Sequence, residues 1–255
     1  MRAGASHNEE ELMRYTLSLL AAAALLALAA MPAAAGSMDV DLKASDGTML
    51  KATYMSPGKP GPAMLLIHQC NLDRSSWTGI ASQLVDAGVH VLTMDLRGFG
   101  GSDGADYREA GGFGPFLKTA SGDVDMAFDY LSKQEGVDTA RMAAGGASCG
   151  AVRTADLAAR RPVKALMLLS GPPSEAAVAN IAAKSDLAVF AAAASGDPIT
   201  AGVDKQLKSA VKGSKHPNST AKIYEGPEHG VPMFAKNADL EPALVSWLKT
   251  ELTGK

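Results

Sequence analysis

Short apolar runs that alternate with amphipathic segments constrain this chain more than anything else in it. Residues 63–67, 89–94, 142–145 and 165–169 are mostly apolar runs too short for core helices, and such runs fit strands buried on both faces. Residues 187–193 and 220–224 continue the series. Between them, residues 77–87, 122–133, 151–160, 174–184, 202–212 and 238–252 carry apolar residues at helical spacing, as in the stripe Val124, Ala127, Phe128, Leu131. Strand and helix in alternation, joined by right-handed crossovers, give a mostly parallel sheet with helices on both faces. Upstream, residues 38–44 and 48–55 alternate around Asp46-Gly47, a dipeptide suited to a tight hairpin, so an antiparallel edge is predicted. The expectation is one eight-stranded α/β domain over residues 36–255, because no connection is long enough for a second.

Residues 1–35 stand apart from that core. An apolar run over residues 17–30 follows Arg14 and leads to Ala33-Ala34-Ala35, an A-x-A-like processing site, and reads as a signal peptide. Glu9-Glu10-Glu11 sits poorly in the region before such a run, which points to Met13 as the working start. A secreted or periplasmic protein is therefore expected, without stable membrane insertion after cleavage; an uncleaved N-terminal anchor is the alternative. A net charge of −3 over 255 residues gives no electrostatic case for nucleic acid. Histidines and cysteines are too few and scattered for a metal constellation, and no phosphate loop is present, so no cofactor is expected. Nothing in the sequence fixes the oligomeric state.

Two G-x-S-x-G motifs carry the possible chemistry. Gly100-Gly101-Ser102-Asp103-Gly104 follows a strand but runs into a Gly/Asp-rich loop, and is read as a turn. Gly146-Ala147-Ser148-Cys149-Gly150 follows an apolar strand and opens the helical run from Ala151, which is the context of a strained, exposed nucleophile. The flanking glycines have a steric reason, since strand and helix can close on each other only if those positions lack bulk.

With these motifs in place, the chain resembles the α/β-hydrolase superfamily, and within it cap-less esterases similar to dienelactone hydrolase. The resemblance rests on Leu65-Leu66-Ile67-His68 after the third strand, the segment Asp95 to Gly104 after the fourth, the Ser148 elbow, an Asp after the seventh strand and a His after the eighth. It implies the α/β-hydrolase fold and a Ser-His-Asp triad in the chain order nucleophile, acid, base. Of five histidines, His229 lies in a turn-forming stretch after the last strand and takes the base position. Asp197 in Ser195-Gly196-Asp197-Pro198 takes the acid position; Glu175 and Asp186 are its competitors, the latter at the wrong end of its strand. The resemblance also implies an oxyanion hole made by the backbone N–H groups of Cys149 and Cys70. Gln69 stands where many relatives have Gly, which leaves Asn71 open as the second donor.

The only cysteines, Cys70 and Cys149, thus fall at the two backbone positions aimed at one oxyanion. Close approach would permit a bridge, but the side chain after the nucleophile usually turns into the core, so two buried thiols are expected instead. The function expected is hydrolysis of a small carboxylic ester through an acyl-enzyme, with peptidase or acyltransferase chemistry on the same triad as the alternative and a catalytically idle binding protein as a third reading. No lid insert separates the sixth and seventh strands, and residues 104–118 read as a Gly-rich loop with Tyr107, Phe113 and Phe116. The site is therefore expected to be shallow.

Overall fold

The computed structural model describes residues 35–254, so the signal-peptide reading lies outside the described residues apart from Ala35. Eight strands form one sheet: β1 (Gly36–Lys43), β2 (Met49–Ser56), β3 (Gly61–Ile67), β4 (His90–Met94), β5 (Val137–Ala147), β6 (Ala165–Leu169), β7 (Ala188–Ala194) and β8 (Thr220–Tyr224). Their order is β1-β2-β4-β3-β5-β6-β7-β8. β2 runs antiparallel to both β1 and β4, and every other pairing is parallel. The hairpin turns where predicted, with Gly47 at φ 90° and the Asp46 carboxylate accepting from the Thr48 N–H.

The chain winds in opposite directions from β3, first to β4 and then back across to β5. Loops leaving β3 and β5 therefore part at the carboxyl ends of neighbouring strands, which is where parallel sheets open a crevice. His68 to Leu72 and Ser148 both leave the sheet there.

Alternate residues of each strand enter two apolar layers. On one face Leu65, Ile67, Leu166, Leu168, Val189 and Ala191 meet α2 (Phe113–Ser132), α3 (Cys149–Arg160), α4 (Glu175–Ala183) and α5 (Val203–Gly213). On the other, Met64, Leu66, Met167 and Phe190 meet α1 (Thr78–Asp86) and α7 (Leu240–Thr253). A 3₁₀ turn at Arg74–Trp77 leads into α1. Only α4 separates β6 from β7, so no cap domain is inserted there. Among the described residues no helix is long and apolar enough to cross a membrane.

Three elements differ from the sequence expectation; β5 begins at Val137, five residues before the apolar run 142–145. α2 begins at Phe113, so the end of the expected 104–118 loop is helix. Gly114 and Gly122 hide this start by lowering helix propensity, yet Phe116, Ala120, Val124, Ala127 and Leu131 are all buried, and Pro115 in the first turn loses no helical bond. The short helix α6 (Pro232–Lys236), directly after His229, carries no periodic signal because it is barely one turn.

α2 is fastened to the loop after β4 by an internal ion pair. Arg97 donates from Nε and Nη2 to the two oxygens of Asp123 at 2.6 and 2.7 Å, and from Nη1 to Asp46. Both Arg97 and Asp123 are buried. Removing one partner leaves the other charge without its best compensation, so Asp123→Ala is expected to cost about 3 kcal/mol in urea unfolding. A loss below about 1 kcal/mol, the range of a surface pair, would show that this contact does not fasten α2.

Candidate active site

Ser148 sits in a backbone conformation that its residue type seldom adopts, with φ 52° and ψ −120°. What holds it there is the packing of its two flanking glycines. A Cβ on Gly146 would overlap the Gly150 backbone, and one on Gly150 would overlap the Ile67 and His68 carbonyls, so β5 and α3 close around the serine only with glycine at both places. Gly171 presses on the elbow from the far side, where a Cβ would overlap the Ser148 carbonyl. The Ser148 N–H donates to the Leu169 carbonyl at 2.8 Å. Cys149 is the first residue of α3, so its N–H belongs to the helix-start donors that have no partner within the helix.

The candidate acid and base come from the loops after β7 and β8. His229 Nδ1 lies 2.6 Å from Asp197 Oδ2, and Asp197 Oδ1 accepts from the Ile199 and Thr200 N–H groups. A carboxylate only accepts, so His229 Nδ1 is the donor of this pair, and the pairing turns Nε2 away from Asp197. That nitrogen is buried and has no partner; a hydrogen bond between it and Ser148 is not formed. Glu175 is exposed in the first turn of α4, and Asp186 pairs with Lys164. Of the three candidate acids, only Asp197 meets His229.

The loop after β3 is organised around one carbonyl. Leu96 N–H donates to His68 Nε2 at 2.9 Å, which leaves the ring proton on Nδ1 to be given to the Gln69 carbonyl at 2.7 Å. The N–H groups of Asn71 and Leu72 converge on that same oxygen. Burial pushes the His68 imidazole below its ordinary range and keeps it neutral for this task. Because the Gln69 C=O and Cys70 N–H belong to one trans peptide, fixing the carbonyl inward turns the Cys70 N–H the opposite way. Among the described residues no hydrogen-bond partner of the Cys70 N–H is found, whereas the Asn71 N–H is spent on Gln69. Of the two donors left open by the sequence, this loop leaves Cys70 free.

Cys70 and Cys149 are joined by a disulfide, against the expectation of two thiols, with Cα atoms 5.9 Å apart. Both side chains are buried. Burial and bridging are not alternatives here: the Cys149 side chain does turn inward, but its Sγ comes to 3.8 Å from the His68 carbonyl, under the loop that carries Cys70. The Ser102 hydroxyl is engaged in the fold: it accepts from the Lys51 N–H and spends its one proton on the Asp95 carbonyl, each at 2.8 Å.

Residues 58–195 match the family model described as serine aminopeptidase, S33, which spans more than half of the chain and includes the Ser148 elbow. The chain belongs to this family of α/β-hydrolases. An uncharacterised protein of Mycobacterium tuberculosis is 36% identical over 134 residues, covering 52% of this chain and 44% of the relative, so the chain spans less than half the length of that relative. The Pyrococcus furiosus esterase Pf2001 superposes with a TM-score of 0.67 at 13% identity, covering 86% of this chain and 92% of that one. A CIB-like hydrolase of Thermoplasma acidophilum gives 0.65 at 19% identity, with 85% and 100% covered. These structures share the fold.

In this α/β-hydrolase the family match ends at residue 195, so Asp197 and His229 rest on the geometry above. The remaining histidines are engaged elsewhere among the described residues: His90 accepts from the Tyr54 hydroxyl and faces the Lys59 carbonyl, and His216 faces Glu251. One residue of the site escapes sequence reasoning. In the sequence Gln69 stands out only as a departure from Gly, although its buried side chain touches two of the site's loops.

The disulfide closes a span of 79 residues between two loops of the site. A cross-link of that length is expected to stabilise the hydrolase by about 2–4 kcal/mol. Denatured, unreduced protein should show no titratable thiol and reduced protein two, with a lower thermal midpoint after reduction. Two thiols before reduction would contradict the bridge.

Proposed function

We propose that this hydrolase cleaves small carboxylic esters through an acyl-enzyme, with Ser148 as nucleophile, His229 as general base and acid, and Asp197 orienting the imidazole. The observation that carries the reading is the Asp197–His229 pair, which engages Nδ1 and leaves His229 Nε2 buried and, among the described residues, without a partner at the strand ends where Ser148 is presented. A buried basic nitrogen without a partner is costly to keep unless something completes it. Rotation of the Ser148 hydroxyl toward that nitrogen would do so, and such bonds often tighten only with substrate in place.

In the first half-reaction the Ser148 Oγ bonds to the ester carbonyl carbon and its proton passes to His229 Nε2. The carbonyl oxygen, now negative, is received by the Cys149 and Cys70 N–H groups, which are fixed before substrate arrives. The C–O bond to the alcohol breaks as His229 returns the proton to the leaving oxygen. Water then repeats the sequence on the acyl-serine, with His229 taking its proton, and the acid and free serine are released. The preference for small esters is supported by the lack of a cap between β6 and β7; beside the loop after β3, Phe99 packs on His68, Tyr107 stacks on Phe99, and Phe113 stacks on Tyr107. The signal-peptide reading supports secretion or a periplasmic site, with no cofactor needed for the steps described.

Ser148→Ala, His229→Ala and Asp197→Asn are each expected to lower kcat on p-nitrophenyl butyrate by about 10³-fold or more, and to be non-additive when combined. Ser102→Ala should stay within about threefold, because its hydroxyl acts only on the backbone. Specificity should peak at about two to four acyl carbons and fall beyond about eight, since no cap between β6 and β7 encloses an acyl chain to reward added methylenes. Near-normal turnover by Ser148→Ala would overturn the assignment, and turnover of an aminoacyl p-nitroanilide in place of every ester would move the substrate class to peptides.

A further inference from the structure

The elbow and the base loop are not joined to each other by a Ser148–His229 hydrogen bond, so something else must set their spacing. Local backbone bonds tie the base loop to the acid loop, Ser195 N–H to the Tyr224 carbonyl and Gly196 N–H to the Gly226 carbonyl. Beyond His229, the Ser170 hydroxyl meets Met233 Sδ in α6. Neither set of contacts reaches the oxyanion loop.

Gln69 does. Its Oε1 accepts from the Val231 N–H at 2.8 Å, two residues past His229, and its Nε2 donates to Asn71 Oδ1 at 2.7 Å within the oxyanion loop. The side chain is buried, and it occupies the space that a Cβ on Gly230 would need, since such an atom would overlap Oε1. Gly230 itself stands at φ 68°. A long polar side chain has thus been fitted against a glycine, and its acceptor spent on the base loop. The next residue, Cys70, is covalently joined to the residue after the nucleophile. Two consecutive residues therefore fasten the oxyanion loop on opposite sides, Cys70 to the elbow and Gln69 to the base loop.

We infer that Gln69 is a positioning residue for the reaction: its carboxamide holds the His229 loop at a set distance from the oxyanion hole, so that proton transfer from Ser148 and stabilisation of the oxyanion occur on one bound substrate. This rests on the triad reading proposed above. Gln69 does not touch the reacting atoms; it acts through Val231 and through the peptide that aims the Cys70 N–H. Loss of the tie should appear in turnover, because a displacement near 1 Å in the reacting geometry costs about 100-fold while leaving ground-state contacts largely intact.

The test compares Gln69→Met, Gln69→Glu and Gln69→Asn in the full chain with its disulfide intact. kcat and KM for p-nitrophenyl butyrate are measured per active site, with sites counted by stoichiometric organophosphate titration. Gln69→Met keeps the length and removes both polar contacts, and its kcat per site is expected to fall about 10- to 100-fold with KM within about threefold. Gln69→Glu keeps an acceptor for Val231, the Asn71 amide turning to donate to it, and should retain kcat within about fivefold. Gln69→Asn is one methylene too short to reach and should resemble Gln69→Met. A residue that only supported the fold would lower the number of titratable sites and the thermal midpoint without changing kcat per site, and that result overturns the inference. So does a Gln69→Glu enzyme as impaired as Gln69→Met. If Gln69→Met yields no folded protein, the contrast between Glu and Asn decides in the same way. A parent protein that neither reacts with the organophosphate nor turns over the ester removes the triad reading first, and this inference with it; an active parent with unchanged Gln69 variants removes only the inference.

Discussion

Everything at the site depends on how closely α3 can approach the β3–β5 pair. The two strands lie side by side in the centre of the sheet, and the helix after β5 starts against the carbonyls of Ile67 and His68. That approach is possible because Gly146 and Gly150 carry no side chain. It forces Ser148 into its strained turn, brings the start of α3 beneath the loop after β3, and sets Cys149 close enough to Cys70 for a bridge. Strain at a single residue of this kind costs on the order of 1–3 kcal/mol and persists only where the surroundings over-determine it. Here strand pairing on one side, a disulfide on another and the Gly171 contact on a third supply that over-determination.

A second layer of order comes from hydrogen bonds that leave specific groups unspent. His68, held neutral by burial, gives its only proton to the Gln69 carbonyl, and the opposite end of that peptide is left with a free N–H. Asp197 accepts the hydrogen bond from His229 Nδ1 and leaves Nε2 without a partner among the described residues. In both cases a buried partner consumes one end of a two-ended group and thereby aims the other. The site is built by exclusion as much as by contact.

The large features are legible because they are written in local chemistry. Alternation marks the first two strands and apolar runs the other six, the β6 and β8 boundaries coinciding with the structure and β5 starting five residues before its run. The Ser148 motif can be separated from the Ser102 motif because a helix begins directly after the first and a loop after the second. The structure gives the reason in hydrogen bonds: Ser102 fastens β2 to the loop after β4. The features that are not legible depend on tertiary packing. The start of α2 is hidden because burial of Phe116 and Ala120 outweighs the propensity of the glycines around them. The bridge escapes a sequence reading because the inward path of the Cys149 side chain runs under the loop that carries Cys70, which only tertiary packing decides. Gln69 stands out as unusual, but its partner Val231 lies 162 residues away.

The central claim is that the strained serine of the elbow, served by His229, is the reacting group of this hydrolase. Covalent labelling tests it without any choice of substrate. The protein is treated with a fluorophosphonate, digested, and the adduct is mapped by mass spectrometry, in parallel with His229→Ala. The account predicts one adduct, on Ser148, formed far more slowly in the variant because the hydroxyl has lost its base. No adduct, an adduct on Ser102, or equal rates with and without His229 would contradict it.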